Sequence, residues 1–131
     1  MTLYPLKFQP IYKERIWGGD KLRSQLNKNI IGKSIGESWE VSDVEGETSV
    51  VAAGSLQGKT LQELSETFGA TLLGEKVYQN FGTKFPLLIK YIDAKSDLSI
   101  QVHPNDELAK ERHNSFGKTE MWYVMHADEG A

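Results

Sequence analysis

Two short stretches hold residue types that could do chemistry together. In Ser99-Ile-Gln-Val-His103 the polar side chains occupy every second position. A strand sends alternate side chains to opposite faces, so Ser99, Gln101 and His103 would share one face and Ile100 and Val102 the other. In Lys118-Thr-Glu-Met-Trp122 the same rule groups Lys118, Glu120 and Trp122. If the two strands pair, Gln101, His103 and Glu120 converge. An imidazole nitrogen, a carboxylate oxygen and an amide oxygen make an N/O site for a divalent metal, with zinc the leading candidate. Ser99 would flank it as a hydrogen-bond donor and Lys118 as a cation. A cation beside an open metal position suits an anionic substrate, through a phosphate or an enolate oxygen. The competing reading is plain: a polar strand face is ordinarily the solvated face of a sheet. Neither spacing is a specific motif by itself. The other two histidines, His113 and His126, read as surface residues at a helix end and a turn.

Three further residues admit two readings each. Trp17 precedes Gly18-Gly19 and is either a ligand contact or a packed loop anchor. Lys90 sits inside an apolar run and needs either a route to water or a partner. Glu40 stands between Trp39 and Val41 and carries the same ambiguity.

The elements that must position these residues can be read in outline. Residues 1–12 alternate through Tyr4, Leu6, Phe8, Pro10 and Tyr12, an extended segment whose two prolines suit an edge. Ile16 to Asp20 is a turn, and 22–26 makes one helical turn. Residues 27–36 are a glycine-punctuated loop. Residues 37–42 alternate, with Trp39 and Val41 on one face and Ser38, Glu40 and Ser42 on the other. A second strand is expected over 48–53. Thr60-Leu-Gln-Glu63 fits a capping box, and Leu61, Leu64, Phe68 and Leu72 follow at helical spacing to a stop at Gly74. Residues 85–92 read as a buried strand, 98–103 and 118–125 as further strands. Helix 107–113 lies between the last two, with N-caps available in Asn105 and Asp106.

Composition narrows the function classes. Of 131 residues, 39% are hydrophobic and 25% charged, ordinary values for a globular chain. Lys and Arg number 15 against 18 Asp and Glu, a formal charge of −3, so no basic excess exists to neutralise nucleic-acid phosphates. The apolar runs are far too short to span a bilayer. No secretory signal is visible at the N-terminus, which leaves the cytoplasm as the expected location. The absence of Cys excludes disulfides and thiolate metal sites. The length suits one domain. The last strand runs into a turn at its C-terminal end, which suggests that a hairpin partner is missing and that the chain is a fragment.

At these same residues the chain resembles the type I mannose-6-phosphate isomerases (phosphomannose isomerases), within them the short bacterial branch. The matching segments are Leu6-Lys-Phe, Arg15-Ile-Trp-Gly-Gly19, Gly36-Glu-Ser-Trp-Glu-Val-Ser42, Phe85-Pro-Leu-Leu-Ile-Lys90, Leu98-Ser-Ile-Gln-Val-His-Pro-Asn-Asp106 and Gly117-Lys-Thr-Glu-Met-Trp-Tyr123. They occur in the family's order and spacing and cover nearly the whole chain. The resemblance implies a mainly β, cupin-type jelly-roll barrel with added helices, incomplete here, with residues 1–131 its N-terminal part and a helical insertion near 60–74. It implies a zinc-dependent aldose–ketose isomerase that interconverts mannose 6-phosphate and fructose 6-phosphate. It places zinc ligands at Gln101, His103 and Glu120, a catalytic role at Lys118, and substrate contacts at Ser99, Lys90, Trp17 and Glu40. The family's remaining ligand histidine and its catalytic arginine have no counterpart in this sequence, so the resemblance leaves the activity of a chain of this length alone an open question. Its expected partner is a sugar phosphate, with self-association through an uncovered sheet edge. The reading from a different class is a non-catalytic sugar or metabolite binding module on the same scaffold, since a fold alone fixes no chemistry. A complete module would close its own barrel, whereas a fragment would leave an edge or apolar surface uncovered.

Overall fold

The structure is a computed structural model that describes residues 2–131; Met1, at the start of the expected extended segment, lies outside the described residues. The elements in chain order are β1 (Ile11–Glu14), α1 (Lys21–Ser24), β2 (Ile35–Val41), β3 (Asp43–Val44), β4 (Glu47–Thr48), α2 (Leu61–Phe68), α3 (Ala70–Leu73), α4 (Glu75–Phe81), β5 (Ile89–Ile92) and α5 (Asp106–His113). The chain divides into two compact units, one ending at Leu98 and one spanning Ser99–Ala131. Among the described residues no helix is long and apolar enough to cross a membrane.

The first unit is built on a three-stranded antiparallel sheet in the order β1-β2-β5, with β3 and β4 forming a separate two-stranded hairpin. The alternation in 37–42 holds, and β2 is the central strand. Its register sets Trp39 opposite Ile11 on one side and opposite Lys90 on the other. The apolar core is built from residues outside the three sheet strands. Val51, Leu56 and Leu64 are fully buried, and Leu3, Tyr4, Leu6, Phe8, Phe68 and Leu72 pack against them. The alternating N-terminal residues therefore do face a core. Their backbone is held by a single bridge, Phe8 to Val51, and not by a continuous strand. The Tyr4 hydroxyl fixes the segment, accepting from Leu56 N at 2.9 Å and donating to Ala53 O at 2.8 Å.

The capping box is present as its sequence pattern predicts. Thr60 Oγ1 accepts from Glu63 N at 3.1 Å, and Glu63 Oε2 accepts from Thr60 N at 2.8 Å. That backbone bond, helped by Lys59, holds the Glu63 carboxyl below its ordinary range. Thr60→Ala is expected to cost about 1 kcal/mol, read from the thermal midpoint. An unchanged midpoint would mean that α2 is held by its buried face alone.

Several expectations need correction. The helix expected over 60–74 is cut at Gly69, whose φ of 49° ends α2 and starts α3. Helix α4 was not expected. The strand over 48–53 is reduced to β4 and single bridges at Val50 and Val51. The buried strand over 85–92 shrinks to β5, with Ile89 and Tyr91 exposed. The strands over 98–103 and 118–125 do not form. The content is accordingly mixed α and β and not mainly β. A β pattern makes a strand only where a second backbone is available to pair with it.

Candidate active site

In the second unit the geometry supports part of the expected convergence. Asn105 caps α5 through a bond from Leu108 N at 2.9 Å, and Gly117 N donates to Asp106 Oδ1 at 2.8 Å. A Cβ on Gly117 would lie 2.7 Å from the backbone at Asn105, so this close crossing requires glycine. The crossing brings the residues just before α5 beside those just after Gly117. His103 Nε2 and Glu120 Oε2 are 3.3 Å apart, and Lys118 Nζ lies 3.5 Å from Glu120 Oε1. Gln101 Nε2 donates to Ser99 Oγ at 2.9 Å, so these two share a side as the alternation predicts. The residues thus form two groups, His103 with Glu120 and Lys118, and Gln101 with Ser99.

Among the described residues no three His, Cys, Asp or Glu side chains surround one point. The donor pair His103–Glu120 nevertheless fits one metal ion. Two ligands at about 2.1 Å from a tetrahedral zinc are roughly 3.4 Å apart, close to the observed 3.3 Å. Gln101 could add an amide oxygen as third donor. A set of one imidazole, one carboxylate and one amide suits zinc, and also manganese, cobalt or nickel.

The other three expected site residues lie in the first unit. Glu40 and Lys90 both line a cleft of about 500 Å³ with Leu26, Lys28, Ile89 and Tyr91. Their charges are already paired. Glu40 accepts from Lys28 Nζ at 2.7 Å on each carboxylate oxygen, and Lys28 sits 5.2 Å from the Tyr91 ring centre. Lys90 Nζ donates to Glu37 Oε1 at 2.9 Å. The partner that a lysine in an apolar run demands is therefore Glu37.

Glu37 is the centre of a buried network that the sequence reading missed. It is 6% exposed, and its Oε2 accepts from Arg15 Nη2 and from Trp39 Nε1, each at 2.9 Å. Burial pushes its carboxyl up. Hydrogen bonds from Lys90 and Trp39, with the charges of Lys90 and Arg15, outweigh that and hold it below the ordinary value. A signal was available, because alternation already puts Glu37 on the Trp39 face.

Trp17 packs within its loop. Its carbonyl accepts from Lys95 N at 2.8 Å, and its ring lies against Gly36, where an added Cβ would come within 2.5 Å of it. Asp93 ties the same loop down. It is 7% exposed, its Oδ2 accepts from Lys21 N at 2.7 Å, and its carbonyl accepts from Gly19 N at 3.3 Å. At Gly18 a Cβ would sit 2.5 Å from Ser34 O and 2.6 Å from Gly36 N, both backbone atoms with little freedom to yield. Gly18→Ala is expected to cost about 2–3 kcal/mol through overpacking. Chemical denaturation measures this, and a loss under about 0.5 kcal/mol, the usual range of surface substitutions, would show that the loop gives way.

Comparison with known proteins bears on the whole chain. The model of the type I phosphomannose isomerase catalytic domain matches residues 5–129. The chain is 44% identical over 132 aligned residues to the mannose-6-phosphate isomerase ManA of Bacillus subtilis, covering 100% of this chain and 40% of that protein. It is 40% identical to the mannose-6-phosphate isomerase of Streptococcus mutans, over 97% of this chain and 39% of the relative. The crystal structure of the mannose 6-phosphate isomerase from Bacillus subtilis superposes with a TM-score of 0.74 at 39% identity, over 88% of this chain and 35% of that one. The chain thus spans about 40% of the length of the curated relatives it matches.

Proposed function

Because the chain belongs to the type I phosphomannose isomerase family, as a match to its catalytic domain, we propose that it supplies part of a zinc-dependent aldose–ketose isomerase site. The substrate pair is mannose 6-phosphate and fructose 6-phosphate, and the scaffold is a cupin-type jelly roll. The observation that carries this reading is the 3.3 Å approach of His103 Nε2 to Glu120 Oε2 with Lys118 beside it.

Moving a carbonyl between C1 and C2 requires taking a proton from carbon and holding the negative charge that develops on oxygen. Zinc, when bound, supplies Lewis-acid polarisation of the substrate oxygens. His103 and Glu120 would hold it, with Gln101 as the amide donor. Lys118 places a positive charge next to the same carboxylate, where it can orient an anionic sugar and offset developing charge. Ser99 offers a hydroxyl donor suited to a phosphate oxygen. Trp17, Glu40 and Lys90 are proposed as substrate contacts on the strength of the family match. Their present partners are Gly36, Lys28 and Glu37.

Calorimetric titration with mannose 6-phosphate tests the reading. The zinc-loaded chain is expected to bind the sugar phosphate more tightly than the zinc-free chain does. Lys118→Met should weaken that binding about tenfold, the loss of one modest charge contact worth roughly 1.4 kcal/mol, with zinc content unchanged. Equal binding with and without zinc would overturn the proposal.

A further inference from the structure

Asp93 is a buried carboxylate to which the proposed chemistry gives no part. It follows directly on β5, and its backbone is fixed on one side, where Asp93 N donates to Gly36 O at 2.8 Å. On the other side it meets the loop that carries Trp17. Asp93 O accepts from Gly19 N at 3.3 Å, Gly18 bridges to Ala94, and Lys95 N donates to Trp17 O at 2.8 Å. These are backbone ties and do not depend on the side chain at 93. The side chain adds one of a different kind. Asp20, the residue before α1, makes no capping bond with its own side chain. Asp93 Oδ2 instead accepts from Lys21 N at 2.7 Å, from 72 residues away in the chain. The carboxylate lies so close over Gly19 that a Cβ there would come within 2.6 Å of Oδ2. It therefore closes the loop at its far end, beyond the two glycines that make it pliable. At the near end the half-buried Trp17 ring lies against Gly36. Gly36 is thus tied to Asp93 and touched by Trp17 at once.

We propose that Asp93 is a positioning residue for Trp17. Its carboxylate holds residues 17–21 so that the indole keeps one orientation against Gly36, with its open surface available to the sugar of the substrate. Asp93 acts through the loop and not by touching the sugar. The inference rests on the reading of Trp17 as a substrate contact and says how that contact is prepared. An aromatic face fixed in advance binds a small ligand more tightly than a mobile one, because it does not have to be ordered on binding.

The test uses the chain labelled with 5-fluorotryptophan, whose three tryptophans give three fluorine resonances. Trp17→Phe identifies the Trp17 line by its loss. Asp93→Ala is expected to move the Trp17 line toward its position in the denatured chain and to leave the Trp39 and Trp122 lines in place. It should also weaken mannose 6-phosphate binding by the zinc-loaded chain about fivefold, the scale of ordering one side chain. Asp93→Asn keeps an oxygen within reach of Lys21 N and should restore both readouts. Gly19→Ala pushes the carboxylate aside without removing it and should reproduce Asp93→Ala. Should Asp93→Ala also move the Trp39 line, the first unit has come apart and Gly19→Ala decides in its place. A carboxylate that only stabilises the fold would lower the melting temperature in Asp93→Ala and leave the Trp17 line and the affinity unmoved below it. That result would overturn the proposal, as would Asp93→Asn behaving like Asp93→Ala. Trp17→Ala separates the inference from the reading beneath it. If Trp17→Ala weakens binding while Asp93→Ala does not, the inference fails alone. If Trp17→Ala leaves binding unchanged, the reading of Trp17 fails and the inference with it.

Discussion

Alanine at His103 or at Glu120 is expected to lower the affinity of the chain for zinc by more than about 100-fold. Partners that only orient a metal ligand are already worth 10–100-fold, and a donor that bonds the ion directly should exceed them. The two donors stand 3.3 Å apart, the spacing that one tetrahedral ion would span. Removing either leaves a single strong donor with the amide of Gln101. Competition against a chromophoric chelator measures the change. Gln101→Ala should cost less than either, since a neutral amide oxygen is the weakest donor of the three. Far-ultraviolet circular dichroism should be unchanged in all three variants, because none of these side chains is fully buried. Wild-type affinity in Glu120→Ala would remove Glu120 from the ligand set. An effect of equal size at His113, which lies at the far end of α5, would point to non-specific binding.

Glu37→Ala is expected to destabilise the first unit by about 3 kcal/mol. Breaking a buried ion pair by removing one partner costs about 3–5 kcal/mol. The low end applies because Lys90 and Arg15 keep side-chain exposures of 20% and 37% and can recover some solvation. Trp39 Nε1 loses its acceptor in a buried setting. The thermal midpoint should fall by roughly 10 °C for a chain of this size. The pH dependence follows from the lowered carboxyl. A group whose folded pKa lies below its unfolded value binds fewer protons in the folded state. Its contribution is therefore complete above the unfolded value of 4.5 and is lost as pH falls through the folded one. Glu37→Gln should remove that acid-side component, so the gap between the two melting curves should narrow as pH falls below 4.5. A constant gap between wild type and Glu37→Gln from pH 7 to pH 3 would show that the carboxylate charge contributes nothing.

The legible parts of the fold were those settled within a few residues of chain. The Thr60–Glu63 box, the cap at Asn105 and the short helix α1 each rest on contacts spanning four residues or fewer, and β2 announces itself by the period-two alternation of its residue types. The family was legible for a related reason: its segments are contiguous words that survive without their partners. The candidate site was legible in residue type and in parity. Ser99 with Gln101, and His103 with Glu120, meet as alternation and pairing of the segments would have them meet.

The partner of Lys90 was not legible, although the demand for one was. Parity put Glu37 on the Trp39 face, but only the register of β2 against β5 sets Trp39 opposite Lys90 and so brings that lysine to Glu37. Register is a relation between segments some fifty residues apart, and no local pattern encodes it. The same holds for the strands that did not form. Residues 98–103 and 118–125 have the alternation of strands, and the sequence by itself determined that alternation and the chemistry on its polar side. Whether they become strands was decided by tertiary structure, because a strand's hydrogen bonds are made to another piece of backbone and exist only where that backbone is in place.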